Sequence, residues 1–316
     1  MNLNKEIGGY FGLEINRLHT NLDQNNTVLV NSGRNALRLL IKQLGIKKIF
    51  APAYTCPVVL NALRMENCDI TLYHIDEHFY PCQEFPNKSF IIYTNYFGIC
   101  LSIVKDLARQ YPNLIVDNAQ AFFSPQYGLA SFTSFRKFFG VPDGSSISSS
   151  CKLHSPILRD LSFGNCEHLL KRLDVSANFG YPSFLHNENN LASKSIKSIS
   201  NLTIALMNGI DWTFAKEQRV RNFSFLHAHL KHKNKLSISL LREDVPLVYP
   251  FWSSSAQLKD VLLRHSIYIP TYWDAKNLNK FEHNLQTEMI PLPIDQRYDI
   301  EDMQLILNVI NEEKIK

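Results

Sequence analysis

Between Val28 and about Ser150 the chain alternates short apolar runs with amphipathic stretches, and this alternation restricts the fold more than any other feature. Val28-Leu29-Val30, Ile49-Phe50-Ala51, Ile70 to Tyr73, Phe90 to Tyr93 and Leu114-Ile115-Val116 read as strands covered on both faces. Between them, Ala36 to Leu44 places Leu37, Leu40, Ile41 and Leu44 at helical spacing and stops at Gly45. Pro57 to Met65 opens on a proline, which suits a first helical position, and Val104 to Gln110 reads as a further helix. Strands of this kind joined through helices bury both faces as a parallel sheet with right-handed crossovers. In open parallel sheets ligands bind beyond the carboxyl ends of the strands. Those ends are Asn31 to Asn35, Pro52 to Cys56, Thr94 to Gly98 and Asp117 to Gln120, where polar and aromatic residues cluster.

The pattern changes after about Ser200. Leu202 to Met207 and Ile210 to His229 read as helices, and Leu247 to Phe251, Leu258 to Leu263, Ile267 to Ile269 and Ile290 to Leu292 as shorter elements. Asp299 suits the N-cap of a last helix through Leu307 and Ile310. With 316 residues there is material for about two domains. The division expected is a large α/β domain over 1–200 and a smaller α+β domain over 201–316. Cys151 to Ser200 is polar and gives no clear element, with Asn187 to Asn190 its least ordered-looking part.

Hydrophobic residues make up 45% and charged residues 20%, which is enough for a sizeable core in a soluble chain. The net charge of +4 is spread out, and its densest runs, such as Lys231 to Lys235, are short; nucleic acid is therefore not an expected partner. The N-terminus lacks a signal-peptide pattern and no apolar stretch has the length of a membrane span. The cysteines (Cys56, Cys68, Cys82, Cys100, Cys151 and Cys166) are dispersed, with no zinc spacing among them. We expect a cytoplasmic protein with reduced thiols and no metal.

Three local patterns carry chemistry. Asn31-Ser32-Gly33-Arg34-Asn35 lies between a strand and a helix, where free amides and a glycine can cradle a phosphate. Asp117-Asn118-Ala119-Gln120 follows a buried strand; its carboxylate can pair with a protonated heteroaromatic nitrogen and its glutamine can reach a neighbouring ring oxygen. Ser134-Phe135-Arg136-Lys137 precedes Phe138-Phe139-Gly140, so that Lys137 can sit desolvated, its neutral amine favoured for attack on an aldehyde. Each pattern alone has an ordinary structural reading: a turn, a capping aspartate, a surface lysine. In this chain order they supply the protein parts of a pyridoxal-phosphate site.

Here the chain resembles the DegT/DnrJ/EryC1/StrS sugar aminotransferases, within the aspartate-aminotransferase fold group. The resemblance runs from Ile7-Gly8-Gly9-Tyr10-Phe11 to Ile290-Pro291-Leu292-Pro293 and rests on Ser32 to Ala36, Ala51-Pro52-Ala53-Tyr54-Thr55, Val116 to Ala121 and Ser134 to Gly144. It implies a PLP-transferase fold with a large, mostly parallel-sheet α/β domain and a smaller C-terminal α+β domain. It implies pyridoxal 5'-phosphate as cofactor, bound as a Schiff base on Lys137, which then shuttles the proton. Asp117 would hold the pyridine nitrogen and Gln120 the ring's phenolic oxygen. Ser134, Ser32 and the turn through Gly33, Arg34 and Asn35 would bind phosphate, and Cys56 or Tyr54 would pack on the ring. The implied reaction moves an amino group from an amino-acid donor, glutamate, onto a nucleotide-linked keto-sugar, in a homodimer. The alternatives are sugar dehydration or epimerisation with the same cofactor, or non-catalytic binding of a nucleotide sugar. Relatives that dehydrate tend to carry histidine in place of the lysine.

Overall fold

The structure, a computed structural model, describes residues 13–16, 18, 22, 27–253, 255 and 257–313. Ile7 to Phe11, where the resemblance begins, lies outside them. The first half runs β1 (Thr27–Val30), α1 (Gly33–Gln43), β2 (Lys48–Pro52), α2 (Pro57–Met65), β3 (Asp69–Tyr73), β4 (Ile91–Thr94), α3 (Leu101–Gln110), β5 (Leu114–Asn118), β6 (Ala130–Thr133) and β7 (Ser145–Ser149). The strands form one sheet in the order β1-β7-β6-β5-β4-β2-β3. From β3 across to β6 every pair is parallel, whereas β7 runs antiparallel to both β6 and β1. The sheet is therefore mostly parallel, with one strand against the grain.

Two-residue periodicity divides the core. Ile91 and Tyr93 of β4 and Leu114 and Val116 of β5 pack on one face, while Ile92 and Ile115 pack on the other against α1 and α2. Helix α1 is buried through Ala36, Leu37, Leu40 and Ile41, and Ser32 caps it by accepting from the Asn35 amide at 3.2 Å. The chain leaves α1 through Gly45, at φ 64°, a left-handed conformation that a glycine takes without steric cost.

Strands β6 and β7 have no counterpart in the apolar pattern. The β7 sequence is Ser-Ser-Ile-Ser-Ser, and its hydroxyls are satisfied inside the sheet. Ser145 Oγ donates to the Thr133 carbonyl at 2.7 Å, and the Ser146 and Thr133 hydroxyls lie 2.8 Å apart. Hydrogen bonding here does the work that apolar burial does elsewhere.

The stretch without sequence signal holds α4 (Glu167–Asp174) and α5 (Ala177–Ser193). Asn187 to Asn190, expected to be the least ordered part, lies inside α5 instead. Helix α5 carries Pro182 in its interior, so tertiary packing has to sustain it. It packs against α4, and Asn187 Nδ2 donates to the Pro142 carbonyl at 3.1 Å.

The second half follows as α6 (Asn201–Asn208), α7 (Trp212–Leu230), β8 (Val248–Trp252), α8 (Leu258–Arg264), α9 (Lys280–Glu288), β9 (Met289–Pro293) and α10 (Ile300–Glu313). Strands β8 and β9 pair antiparallel. Asp299 Oδ1 accepts from the amides of Glu301 and Asp302 at 2.9 and 3.1 Å, capping α10 as expected. Ile267 to Ile269 forms no regular element. Side chains of β8, β9 and α10 join those of α3, β4 and β5 in one apolar cluster, so the C-terminal elements rest directly on one face of the large sheet. No helix among the described residues is long and apolar enough to cross a membrane.

Candidate active site

A cavity of about 330 Å³ opens beyond the carboxyl ends of β1, β5 and β6. Its floor contains Asp117, which ends an apolar strand and is 4% exposed. Burial pushes the carboxyl pKa up, and the opposing influences are the Lys137 charge across the cavity and the Ala119 amide. That amide donates to Asp117 Oδ1 at 2.8 Å, and no other hydrogen bond to the carboxylate occurs among the described residues. A buried carboxylate with spare acceptor capacity facing a lysine suits a protonated ring nitrogen placed between them.

Lys137 closes the short 3-10 turn Phe135–Lys137, which follows β6 directly. The turn is held from inside by Phe135, which is 1% exposed, and by the Phe138 amide donating to the Phe135 carbonyl at 3.0 Å. The neighbouring rings Phe122, Phe138 and Phe139 form a cluster of one edge-on and two tilted pairs. Two anchors and an aromatic base thus hold the turn that brings Lys137 to the cavity.

The opposite wall is the start of α1. Ser32 and Gly33 line the cavity, and the first intrahelical bond is from the Ala36 amide to the Ser32 carbonyl at 2.8 Å, which leaves the Gly33 and Arg34 amides ahead of the ladder. A Cβ on Gly33 would approach the Thr133 carbonyl at 3.2 Å, so glycine lets α1 close on β6 beside Ser134. Helix-start amides, a hydroxyl on each side and the positive helix end fit a phosphate. The lysine amine, the carboxylate and the start of α1 share one cavity. These residues fit pyridoxal phosphate.

No protein-family model matches the sequence, and no curated protein does. Solved structures do. An aminotransferase of the DegT/DnrJ/EryC1/StrS group from Brucella abortus superposes with a TM-score of 0.62 at 15% identity, over 90% of this chain and 85% of its own. The aminotransferase TlmJ from Streptoalloteichus hindustanus gives 0.62 at 14%, over 90% and 84%. The E. coli GDP-4-keto-6-deoxy-D-mannose-3-dehydratase, solved with hydrated PLP bound, also gives 0.62 at 14%, over 90% and 87%. The fold is that of the DegT/DnrJ/EryC1/StrS enzymes.

On this DegT-type fold, Ser32, Gly33, Arg34, Cys56, Asp117, Ser134 and Lys137 all line the cavity. Three other candidates do not. Asn35 is fully buried, and its Nδ2 donates to Asn31 Oδ1 and the Ser195 carbonyl at 2.9 Å, tying α1 to the segment before α6. Tyr54 is fully buried too, with its hydroxyl donating to the Tyr272 carbonyl at 2.7 Å. Of the pair considered for packing on the ring, Cys56 is the one that faces the cavity. Gln120 Oε1 accepts from the Phe97 amide at 2.9 Å and steadies a turn in which Phe97 takes φ 55°; its Nε2 is buried without a partner.

Side chains from outside the motifs complete the wall. Phe184, Glu188 and Leu191 come from α5, and Tyr272 from the segment between α8 and α9. Glu188 pairs with Arg136, and Arg34 Nη1 donates to the Leu191 carbonyl at 3.0 Å, so α5 is strapped over the cavity by two arginines. No local pattern announces these residues, because α5 has no apolar stripe of its own.

Proposed function

We propose that this chain is a pyridoxal-phosphate-dependent aminotransferase that transfers an amino group from an amino-acid donor, glutamate, to a nucleotide-linked keto-sugar. The observation that carries the reading is Lys137 facing the buried Asp117 across a cavity whose far wall is the start of α1. When bound, pyridoxal phosphate supplies the electron sink that makes the substrate's α-proton removable.

The chain's own residues have distinct tasks. Lys137 Nζ would hold the cofactor covalently, and the same atom can carry a proton. The Asp117 carboxylate would accept a charge-assisted hydrogen bond from the ring nitrogen and keep it protonated. Ser32, Ser134 and the Gly33 and Arg34 amides orient the phosphate. Arg34, Phe184 and Leu191 narrow the opening to water. We assign the large domain to 1–200 and the smaller one to 201–316, and place the protein in the cytoplasm, a reducing compartment that suits its six free cysteines.

The working unit we infer is a homodimer. Its support is the outer surface of 157–185, where Ile157, Leu161, Phe163, Leu173, Val175 and Phe179 are between 55% and 100% exposed. An apolar surface of that extent marks an interface, and this one borders the α5 wall of the cavity.

Borohydride reduction of the cofactor-loaded protein tests the proposal, with a reduced adduct expected on Lys137. An adduct on Lys152 or Lys105 would overturn the assignment. The dehydratase neighbour raises a second reading, sugar dehydration, which product analysis separates: amination leaves nitrogen on the sugar and dehydration does not.

A further inference from the structure

Because Gln120 turns away from the cavity, the phenolic oxygen of pyridoxal phosphate lacks the partner expected for it. The substitution pattern of the ring and the strand order together fix the side from which another group can reach. On the pyridine ring the aldehyde-bearing carbon stands between the carbon with the phosphate arm and the carbon with the phenolic oxygen, so arm and oxygen leave from opposite edges. The arm's cradle is the start of α1, where Gly33 closes on Thr133 and Ser134 at the end of β6. Asp117 ends β5, which lies between β6 and β4, and β2 follows beyond β4. With the arm over β6 and the ring nitrogen at Asp117, the phenolic oxygen faces the β4 and β2 side.

Tyr272 lines the cavity from that side. Its carbonyl accepts from the hydroxyl of Tyr54, just after β2, at 2.7 Å, and its ring centroid lies 6.1 Å from that of Phe97, in the turn after β4. The other lining residues there, Cys56, Val58 and Val59, offer at most a thiol, which donates weakly. The Tyr272 hydroxyl, by contrast, forms no hydrogen bond among the described residues. Burial raises the phenol pKa, with the Arg219 charge opposing it, so the group remains a protonated donor at neutral pH. Tyr54 and Gln120 stand one step behind: Tyr54 holds the Tyr272 backbone, and Gln120 holds the Phe97 amide at 2.9 Å, on whose ring Tyr272 packs.

We propose that the Tyr272 hydroxyl, supplied by the C-terminal half, donates to the phenolic oxygen of the bound cofactor in place of Gln120. The contact presupposes pyridoxal phosphate on Lys137, as proposed above. The phenolic oxygen shares the proton of the imine made with that lysine. A donor at the oxygen stabilises the negative charge left when this proton departs, and so makes the proton easier to lose. Removing the donor therefore moves the titration of the imine to higher pH.

The test is a pH titration of the visible absorption band of the full chain loaded with pyridoxal phosphate, with the borohydride adduct on Lys137 scored on the same samples. Tyr272→Phe keeps the ring and its packing on Phe97, and should raise the midpoint of the band by about one pH unit, a tenfold change in proton affinity. Its affinity for the cofactor should fall about threefold to tenfold. Without cofactor it should melt with the parent, since the hydroxyl has no partner to lose. Tyr268→Phe, at an exposed tyrosine of the same segment, should titrate as the parent does. No adduct on Lys137 in the parent would sink the cofactor assignment and this contact together. An adduct with an unchanged midpoint in Tyr272→Phe would overturn the contact alone. A raised midpoint in Gln120→Met with none in Tyr272→Phe would also overturn it and return the role to Gln120.

Discussion

Replacing Asp117 by asparagine separates the charge of that side chain from its shape. The amide oxygen of Asn can still accept from the Ala119 amide, now 2.8 Å from Oδ1, so the turn after β5 is retained. What is lost is the negative charge in a nearly solvent-free position. In the proposed cofactor-bound protein that charge would make one charge-assisted hydrogen bond, worth about 1.5–3 kcal/mol. Cofactor affinity should therefore fall by about tenfold to a hundredfold, and turnover should fall further, because an unprotonated ring withdraws electrons poorly. The cofactor-free protein should respond in the opposite sense. Burial raises the Asp117 pKa, so the carboxylate's contribution to stability is present at low pH and lost as pH rises through its folded value. At neutral pH the carboxylate is thus a liability that the Lys137 charge offsets only in part. Asp117→Asn without cofactor should then lose little or no thermal stability, and its standing relative to the parent should improve with increasing pH. Fluorescence titration with pyridoxal phosphate and melting curves at pH 5 and 8 measure both arms. Parental cofactor affinity and turnover in the variant would refute the assignment of Asp117 as the ring's counter-ion.

Burial raises the Asp244 carboxyl to about 6 despite the Leu241 amide bonded to it at 2.7 Å. Its contribution to stability is complete below the unfolded value and lost as pH rises through about 6; after screening, the parent should lose about 1–2 kcal/mol relative to Asp244→Asn between pH 4.5 and 7.5, measured by denaturant titration. Leu173→Asp together with Phe163→Asp, at side chains 83% and 75% exposed, should convert the proposed dimer to monomer in light scattering across a dilution series; a fully active parental monomer at every concentration would reject the dimer. Arg219→Met should cost about 2–4 kcal/mol by urea unfolding, since the buried Leu247 carbonyl and the half-buried Gln296 Oε1 lose their donor, while the Phe138 carbonyl keeps Gln296 Nε2.

The sequence made the sheet legible where strands are apolar on both faces, and α2 matches its expected bounds because Pro57 marks the entry and the apolar run stops at Met65. The strands it concealed, β6 and β7, each place a single large apolar residue, Phe132 and Ile147, among Ser, Thr and Ala, and several of their hydroxyls are bonded within the sheet. Helix α5 has no apolar stripe and carries Pro182, and it is sustained by packing on α4. Within the site, residues that act through main-chain position were readable: a helix start, a strand end and the turn after a strand. Side-chain direction was not. Each residue along α1 turns by about 100°, so Asn35 faces the 194–195 segment although Ser32, Gly33 and Arg34 reach the cavity. Tyr54 and Gln120 likewise turn away from the cavity, each bonded to a backbone group that no local pattern reveals.

The C-terminal elements act on the site through the backbone beside Lys137. Arg219 of α7 is buried, with its guanidinium 4.5 Å from the Phe138 ring centroid, and donates to Gln296 Oε1 at 3.0 Å, the Leu247 carbonyl at 3.0 Å and the Phe138 carbonyl at 3.3 Å. Gln296 Nε2 donates to the same Phe138 carbonyl at 2.8 Å. The residue next to the lysine is thus clamped from two C-terminal segments, one before β8 and one after β9. Burial lowers the Arg219 pKa to about 10, so the ion stays charged at neutral pH while paying a desolvation cost that its hydrogen bonds must offset. Such a clamp fixes the direction of Lys137 before any ligand arrives, which limits the reorganisation left for the reaction. The turn after β6 that carries the lysine is supplied by the large sheet, and the backbone beside it is held by α7 and the turn after β9.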